Sequence, residues 1–176
     1  VKKINGQLYI YENGVYVPGY RAIEKAMLSD IPSLTRARRN EVLDYLEVVC
    51  KDSIPGDLNR IAFKNGVYNI NTDILEPFSP VHVITNMIPW NYNPSAKCRL
   101  VDELLDKLSD GDINIRYLLE EMIGACLYRS NTIGGGKAAI LKGDGGNGKS
   151  TYIEMLSNLL GEENISNLDF NHLDSR

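Results

Sequence analysis

Apolar and polar positions alternate where the chain begins. Leu8-Tyr9-Ile10-Tyr11 and Val15-Tyr16-Val17 are aromatic and β-branched runs on either side of Asn13-Gly14, a pair that supplies the positive φ values of a tight turn. The chain is therefore predicted to open with a β-hairpin. The period then changes. Ile23 with Met27, and Val42, Leu43, Leu46, Val49 and Cys50, recur at helical spacing, which predicts two helices broken near Ile31-Pro32-Ser33. Ile61-Ala62-Phe63 and Val67-Tyr68-Asn69-Ile70 flank Asn65-Gly66 as a second hairpin, and a turn at Asn71-Thr72-Asp73 leads into Ile74-Leu75. The Asn-Gly-Val-Tyr echo in the two hairpins is read as repeated turn chemistry and not as a duplicated domain, because the flanks differ.

Val83-Ile84-Thr85 and Met87-Ile88 predict a further strand, closed by Pro89 and the turn-rich Asn91-Tyr92-Asn93-Pro94. A first boundary is placed near residue 95. Leu100, Val101, Leu104, Leu105 and Leu108 form one helical stripe, and Ile115, Leu118, Leu119, Met122, Ile123, Cys126 and Leu127 form another, with Ser109-Asp110-Gly111-Asp112 between them. These predict a helical hairpin over residues 96–135. Gly134-Gly135-Gly136 marks a second boundary. The expected fold is thus α/β in three pieces: a mixed hairpin-and-helix region (1–95), a helical linker or collar (96–135), and the first part of a P-loop, AAA-like nucleotide-binding domain (136–176).

Composition narrows the class. Of 176 residues, 43% are hydrophobic, enough to bury a core. With 19 Lys and Arg against 23 Asp and Glu, the net charge of -4 gives no general positive field for nucleic acid. By segment, residues 1–56 hold 8 basic and 7 acidic side chains, 57–110 hold 5 and 7, and 111–176 hold 6 and 9. The end with the glycine-rich loop is the acidic one. Cys50, Cys98 and Cys126 lack the spacing of a zinc site or a disulfide framework and are read as reduced core thiols. No apolar run approaches the ~20 residues that span a bilayer, and no signal-peptide core follows Lys2 and Lys3. A cytoplasmic location without membrane contact is expected. Val1 is not a natural initiator, so the chain is read as cut from a longer one.

The chemistry concentrates in one place. Ala138-Ala139-Ile140-Leu141 suits a buried strand; Gly143-Asp144-Gly145-Gly146-Asn147-Gly148-Lys149-Ser150 follows; Ile153, Leu156 and Leu160 then continue at helical spacing. Strand, loop and helix in that order are the context that G-x-x-x-x-G-K-[ST] requires. Its glycines let successive N–H groups, from about Gly145 to Ser150, face a polyphosphate at the positive end of a helix dipole. Lys149 is expected to reach the β- and γ-phosphates, Ser150 to ligate Mg²⁺, and Thr151 to bond the α-phosphate. With Gly near 7% of residues, a chance match in a chain this long is on the order of one in a hundred. The cofactors expected are ATP and Mg²⁺, and the site residues are Gly143, Gly145, Gly146, Asn147, Gly148, Lys149, Ser150 and Thr151. Asp144 is read as a solvated loop carboxylate.

Other signals are weaker. Arg36, Arg38 and Arg39 crowd a helix start and are candidate DNA contacts, although such a run is more often a solvated face. His82 and His172 stand alone. Trp90, Tyr92 and Tyr68 are aromatic residues of a kind that stacks bases, but beside predicted strands they are more often core or interface anchors.

Taken together, several stretches carry a resemblance. Ile61-Ala62-Phe63-Lys64-Asn65-Gly66-Val67, Ser79-Pro80-Val81-His82-Val83-Ile84-Thr85-Asn86, Ile88-Pro89-Trp90-Asn91-Tyr92-Asn93-Pro94 and Glu120-Glu121-Met122-Ile123-Gly124 look like the segment preceding a helicase core. The loop from Gly143 to Thr151, with Leu159-Leu160-Gly161-Glu162-Glu163-Asn164-Ile165-Ser166, looks like the start of that core. In these stretches the chain resembles the phage and plasmid DNA primase-helicase family, whose core belongs to superfamily three and whose relatives include the poxvirus primase-helicase. The resemblance implies a ring-forming homo-oligomeric, AAA-like ATPase that unwinds forked DNA by moving on single strands, encoded by a phage or plasmid in a bacterial host. By motif matching, Lys149 and Ser150 take the Walker A roles. The family's Walker B acids, sensor asparagine and arginine finger lie downstream of the stretch matching His172 to Arg176, so no residue here is assigned them, and no primase carboxylates are found. Two rivals remain: a non-enzymatic assembly or DNA-docking module with an inert P-loop, and a small-molecule P-loop kinase, which would need an acceptor site and a lid after the loop.

Overall fold

The structure is a computed structural model and describes residues 1–54, 56, 58–128 and 138–168. Two compact units, Val1–Met87 and Ile88–Arg176, divide the chain.

In the first unit, strands β1 (Lys2–Ile4), β2 (Gln7–Glu12), β3 (Val15–Pro18) and β4 (Asp52–Ser53) form a sheet in the order β3-β2-β1-β4. Only β1 and β4 run parallel. Side chains along β2 alternate between two cores, as the period of two demands. Leu8 and Ile10 turn to helices α1 (Tyr20–Asp30) and α2 (Arg36–Val49), where Leu8, Ile23 and Leu43 are buried together. Tyr9 and Tyr11 turn the other way, onto Ile4, Tyr16 and Val83. Each fully buried aliphatic side chain contributes about 1.5–3 kcal/mol, and a register slip of one residue would exchange the two faces. The α2 helix starts where Thr35 accepts from the Arg38 N–H, an N-cap that satisfies one of the free donors of its first turn.

Strands β5 (Arg60–Phe63), β6 (Gly66–Asn69) and β7 (Ile74–Glu76) make an antiparallel meander. Ala62 and Val67 bury against Ile84, with Val15 and Met87 alongside. The expected strand over 83–88 does not form: Val83 to Met87 lie in irregular backbone. Val83 and Ile84 are nonetheless buried, and each carbonyl accepts one hydrogen bond, from the Gly56 and Tyr16 N–H groups respectively, at 2.7 Å. Their apolar character fills two cores without a ladder.

The shared Asn-Gly dipeptides do not share a turn. Asn13 and Gly14 both have positive φ (50° and 94°) between paired Glu12 and Val15, as expected of the first hairpin. In the second hairpin Gly66 is a strand residue paired with Phe63, and the turn is Lys64-Asn65. Its φ of 154° and the Glu76 carbonyl oxygen 2.7 Å from where a Cβ would stand explain the glycine there. The matching two-residue turn is instead Asn5-Gly6 (φ 48° and 77°), joining β1 to β2, which the pattern of apolar positions leaves unmarked.

The second unit contains the expected helical hairpin, α3 (Arg99–Ser109) and α4 (Ile113–Leu127), joined through Asp110 and Gly111 in the left-handed region. Asp112 caps α4 by accepting from the Asn114 N–H at 2.8 Å. Helix α5 (Lys149–Leu160) follows, with a 3-10 turn at Glu162–Asn164. Leu105, Leu119 and Tyr152, one from each helix, form the core. Gly134, Gly135, Gly136 and His172 lie outside the described residues.

Two expectations fail in this unit. No strand forms over 138–141; Ile140 is 88% exposed, and only Leu141 packs on the Leu105 core. Among the described residues this unit has no strand to supply the ladder an isolated apolar run needs. The thiols are not all core groups either. Cys98 and Cys126 are exposed, and only Cys50 is partly buried, against the Leu8 cluster. Cys98 precedes α3 at its exposed start, and Cys126 falls off the stripe that α4 buries.

Candidate functional site

Residues 143–151 form a curled loop running into α5. Gly146 and Gly148 occupy the left-handed region at φ 74° and 93°, and Gly148 is the N-cap. The N-cap residue is a glycine and offers no side-chain oxygen to the first-turn N–H groups, which an α-helix leaves without partners of its own. The first helical bond runs from the Tyr152 N–H to the Gly148 carbonyl at 3.0 Å. Gly143, Gly145, Gly146, Ser150 and Thr151 are exposed, while Asn147, Gly148 and Lys149 are partly buried.

Three oxygens surround the Lys149 ammonium. Its Nζ donates to the Gly143 carbonyl at 2.8 Å, the Asp144 carbonyl at 2.7 Å and the Asn147 Oδ1 at 2.7 Å. An ammonium has three donors, so all three are engaged within the loop. Sequence reasoning assigned Asn147 to the loop for its N–H group and missed its side chain. The signal available was an amide two residues before the lysine. Asp144 contributes its backbone oxygen, a role its residue type does not reveal.

The loop is seated on helices. A Cβ at Gly148 would stand 3.4 Å from Leu104 Cδ1 and 3.5 Å from Leu108 Cδ2, so α3 backs the start of α5. Tyr152, fully buried one turn later, donates its hydroxyl to the Leu119 carbonyl of α4 at 2.7 Å. The far end of α5 is held by Trp90, whose Nε1–H donates to the Asn158 carbonyl at 2.8 Å, and by Pro89 against Gly161. Trp90 remains 55% exposed. Arg116 ties the hairpin itself together, reaching Asp102, Asp106 and Glu120. Those carboxylates raise the pKa of its guanidinium, the Asp102 hydrogen bond foremost.

The arginine cluster of the first unit is less of a cluster than its spacing suggests. Arg36 and Arg38 are exposed, but Arg39 donates to Glu24 Oε1 at 3.1 Å and to the Leu34 carbonyl at 2.7 Å. The groove between α1 and α2 sets Arg36 and Arg39 beside Glu24 and Asp44, a mixed surface and not a basic track. Tyr68 donates to Asp73 Oδ1 at 2.6 Å. His82 lies 3.7 Å from Glu76 Oε2, in a group with Arg60 and Asn69 that holds the loop after β7. Among the described residues no helix is long and apolar enough to cross a membrane.

No curated protein matches the chain. A family model described as D5 N terminal like matches residues 10–110. The match runs from β2 to the end of α3 and takes in three of the stretches that carry the primase-helicase resemblance, those around Ile61, Ser79 and Ile88; it ends before Glu120–Gly124 and the loop at 143–151. It covers more than half of the 176 residues, and the chain therefore belongs to the D5 N terminal like family, the N-terminal domain of D5-like phage and poxvirus primase-helicases.

Proposed function

We propose that residues 143–151 form a Walker A loop that binds the polyphosphate of ATP, and that the chain contributes this site and its collar to a replicative DNA primase-helicase. The observation that carries the reading is the Lys149 ammonium drawn into a loop curled through Gly146 and Gly148 at the start of α5. Two loop carbonyls and the Asn147 side-chain oxygen hold the ammonium within the loop. A lysine poised at a helix N-terminus places its charge beside the loop and first-turn N–H groups that suit an anion. The donor set fits a magnesium nucleotide: the N–H groups of 145–150 and Lys149 would hold the β- and γ-phosphates, Thr151 would assist at the α-phosphate, and Ser150 would ligate Mg²⁺. That ion supplies neutralisation of phosphate charge. Helices α3 and α4 hold the loop in place through Gly148 and Tyr152.

Single-stranded or forked DNA and further copies of the chain in a ring are the proposed partners, resting on family membership. The reading is tested by calorimetry with Mg²⁺-ATP. Weak binding is expected, because no adenine seat is identified beside the loop, and Lys149→Ala should abolish it. A folded protein that takes up no nucleotide, or binding indifferent to Lys149→Ala, overturns the reading.

A second reading, a phosphate-binding module that does not turn ATP over by itself, is favoured by the carboxylates near the loop. Glu154 lies on α5, and Glu162 and Glu163 lie on the 3-10 turn after it, whereas the acid that positions metal and water should end a buried strand. The chain assayed with Mg²⁺, ATP and single-stranded DNA should stay near background. Turnover of about 1 per second lost in Lys149→Ala would show that these parts suffice.

A further inference from the structure

We infer that Asn147 is an internal stand-in for a phosphate oxygen, holding the Lys149 ammonium until a terminal phosphate displaces it. The inference rests on the phosphate-binding reading of the loop and concerns how that site is regulated. All three donors of Lys149 are engaged: two by backbone oxygens of Gly143 and Asp144, one by the Asn147 side chain at 2.7 Å. A phosphate needs at least one of them. Freeing a backbone oxygen means rearranging the loop, whereas freeing Asn147 Oδ1 needs only rotation of a short side chain.

Chemistry fixes which end of the amide faces the lysine, because an ammonium only donates and the amide nitrogen also donates. The nitrogen end points to Gly143 and lies 2.5 Å from where a Cβ there would stand. Glycine at 143 thus makes room for the amide that engages Lys149. A neutral amide is a weaker acceptor for an ammonium than an anionic phosphate oxygen, so the exchange favours phosphate while raising the concentration needed to achieve it.

Removing the competitor should tighten binding. In calorimetry on the whole chain with Mg²⁺-ATP and with inorganic pyrophosphate, Asn147→Ala should lower Kd about three- to tenfold. Asn147→Asp, which holds the ammonium as an ion pair and repels phosphate, should raise Kd at least tenfold. A readout independent of binding is trace acetylation of lysines followed by mass spectrometry. Without ligand, Lys149 of Asn147→Ala should label about threefold faster than in the native chain, with Lys142 unchanged as reference. If Asn147→Ala binds equally or more weakly, or Lys149 labelling does not rise, while Lys149→Ala still abolishes binding, the stand-in role is wrong and the phosphate site stands. If neither the native chain nor any variant binds, the phosphate reading falls and this inference with it.

Discussion

The Tyr152 hydroxyl of α5 donates to the Leu119 backbone carbonyl of α4 across 2.7 Å, with both side chains buried in one core. The tyrosine sits three residues after Lys149, so the helix that starts at the loop is pinned to the hairpin within its first turn. Tyr152→Phe keeps the ring and removes the bond, and should cost the chain about 1 kcal/mol. Tyr152→Ala should cost about 3–5 kcal/mol through the cavity it leaves. Urea unfolding followed by circular dichroism separates the two. A phenylalanine variant as destabilised as the alanine one would show that the hydroxyl does more than make a single bond.

Two glycines with positive φ should respond differently to alanine. Gly6 (φ 77°) has nothing within 4 Å of a Cβ, so Gly6→Ala should cost only the left-handed backbone penalty, about 1–2 kcal/mol. At Gly66 the same change adds a clash with the Glu76 carbonyl oxygen at 2.7 Å, deep in the meander. Its loss should exceed that of Gly6→Ala by about 1–3 kcal/mol, read as the difference in unfolding free energy.

Acid should weaken the first unit through Glu76. Asn69 donates to its carboxylate at 2.7 Å and Arg60 at 3.2 Å, and these hydrogen bonds, Asn69 first, lower its pKa below the ordinary 4.5. A depressed carboxylate contributes stability that is fully present above the unfolded pKa and is lost as pH falls through the folded one. Unfolding free energy measured from pH 7 down to pH 3 should therefore fall more steeply below about pH 4.5 in the native chain than in Glu76→Gln. Parallel curves would remove Glu76 from the account.

DNA binding by this chain should be weak and salt-sensitive. The spacing of Arg36, Arg38 and Arg39 suggests three phosphate contacts and a slope of log K against log salt near about -2 on single strands. With Arg39 already engaged by Glu24 and Leu34, two remain, and the expected slope is about -1.4. Fluorescence anisotropy with a labelled oligonucleotide across a salt series measures it. A steeper slope, or tight binding at physiological salt, would place the DNA surface elsewhere.

Periodicity alone determined the helices and most strands. Apolar stripes at helical spacing locate α1 to α5, and Asn13-Gly14 between alternating runs locates β2 and β3, because these elements satisfy their own backbone locally or with a sequence neighbour. What a residue does toward distant partners was decided only by tertiary structure. Gly66 looks like a turn residue and is a strand residue pressed by β7. The apolar runs at 83–87 and 138–141 look like strands and form none, because a strand exists only where another offers its hydrogen bonds, and burial of Val83 and Ile84 is achieved without one. The loop shows the same division. Its glycines, Lys149 and Ser150 are legible as a motif because local backbone geometry demands those residue types. The helices that seat it, and the Asn147 oxygen on Lys149, depend on where the chain folds back on itself.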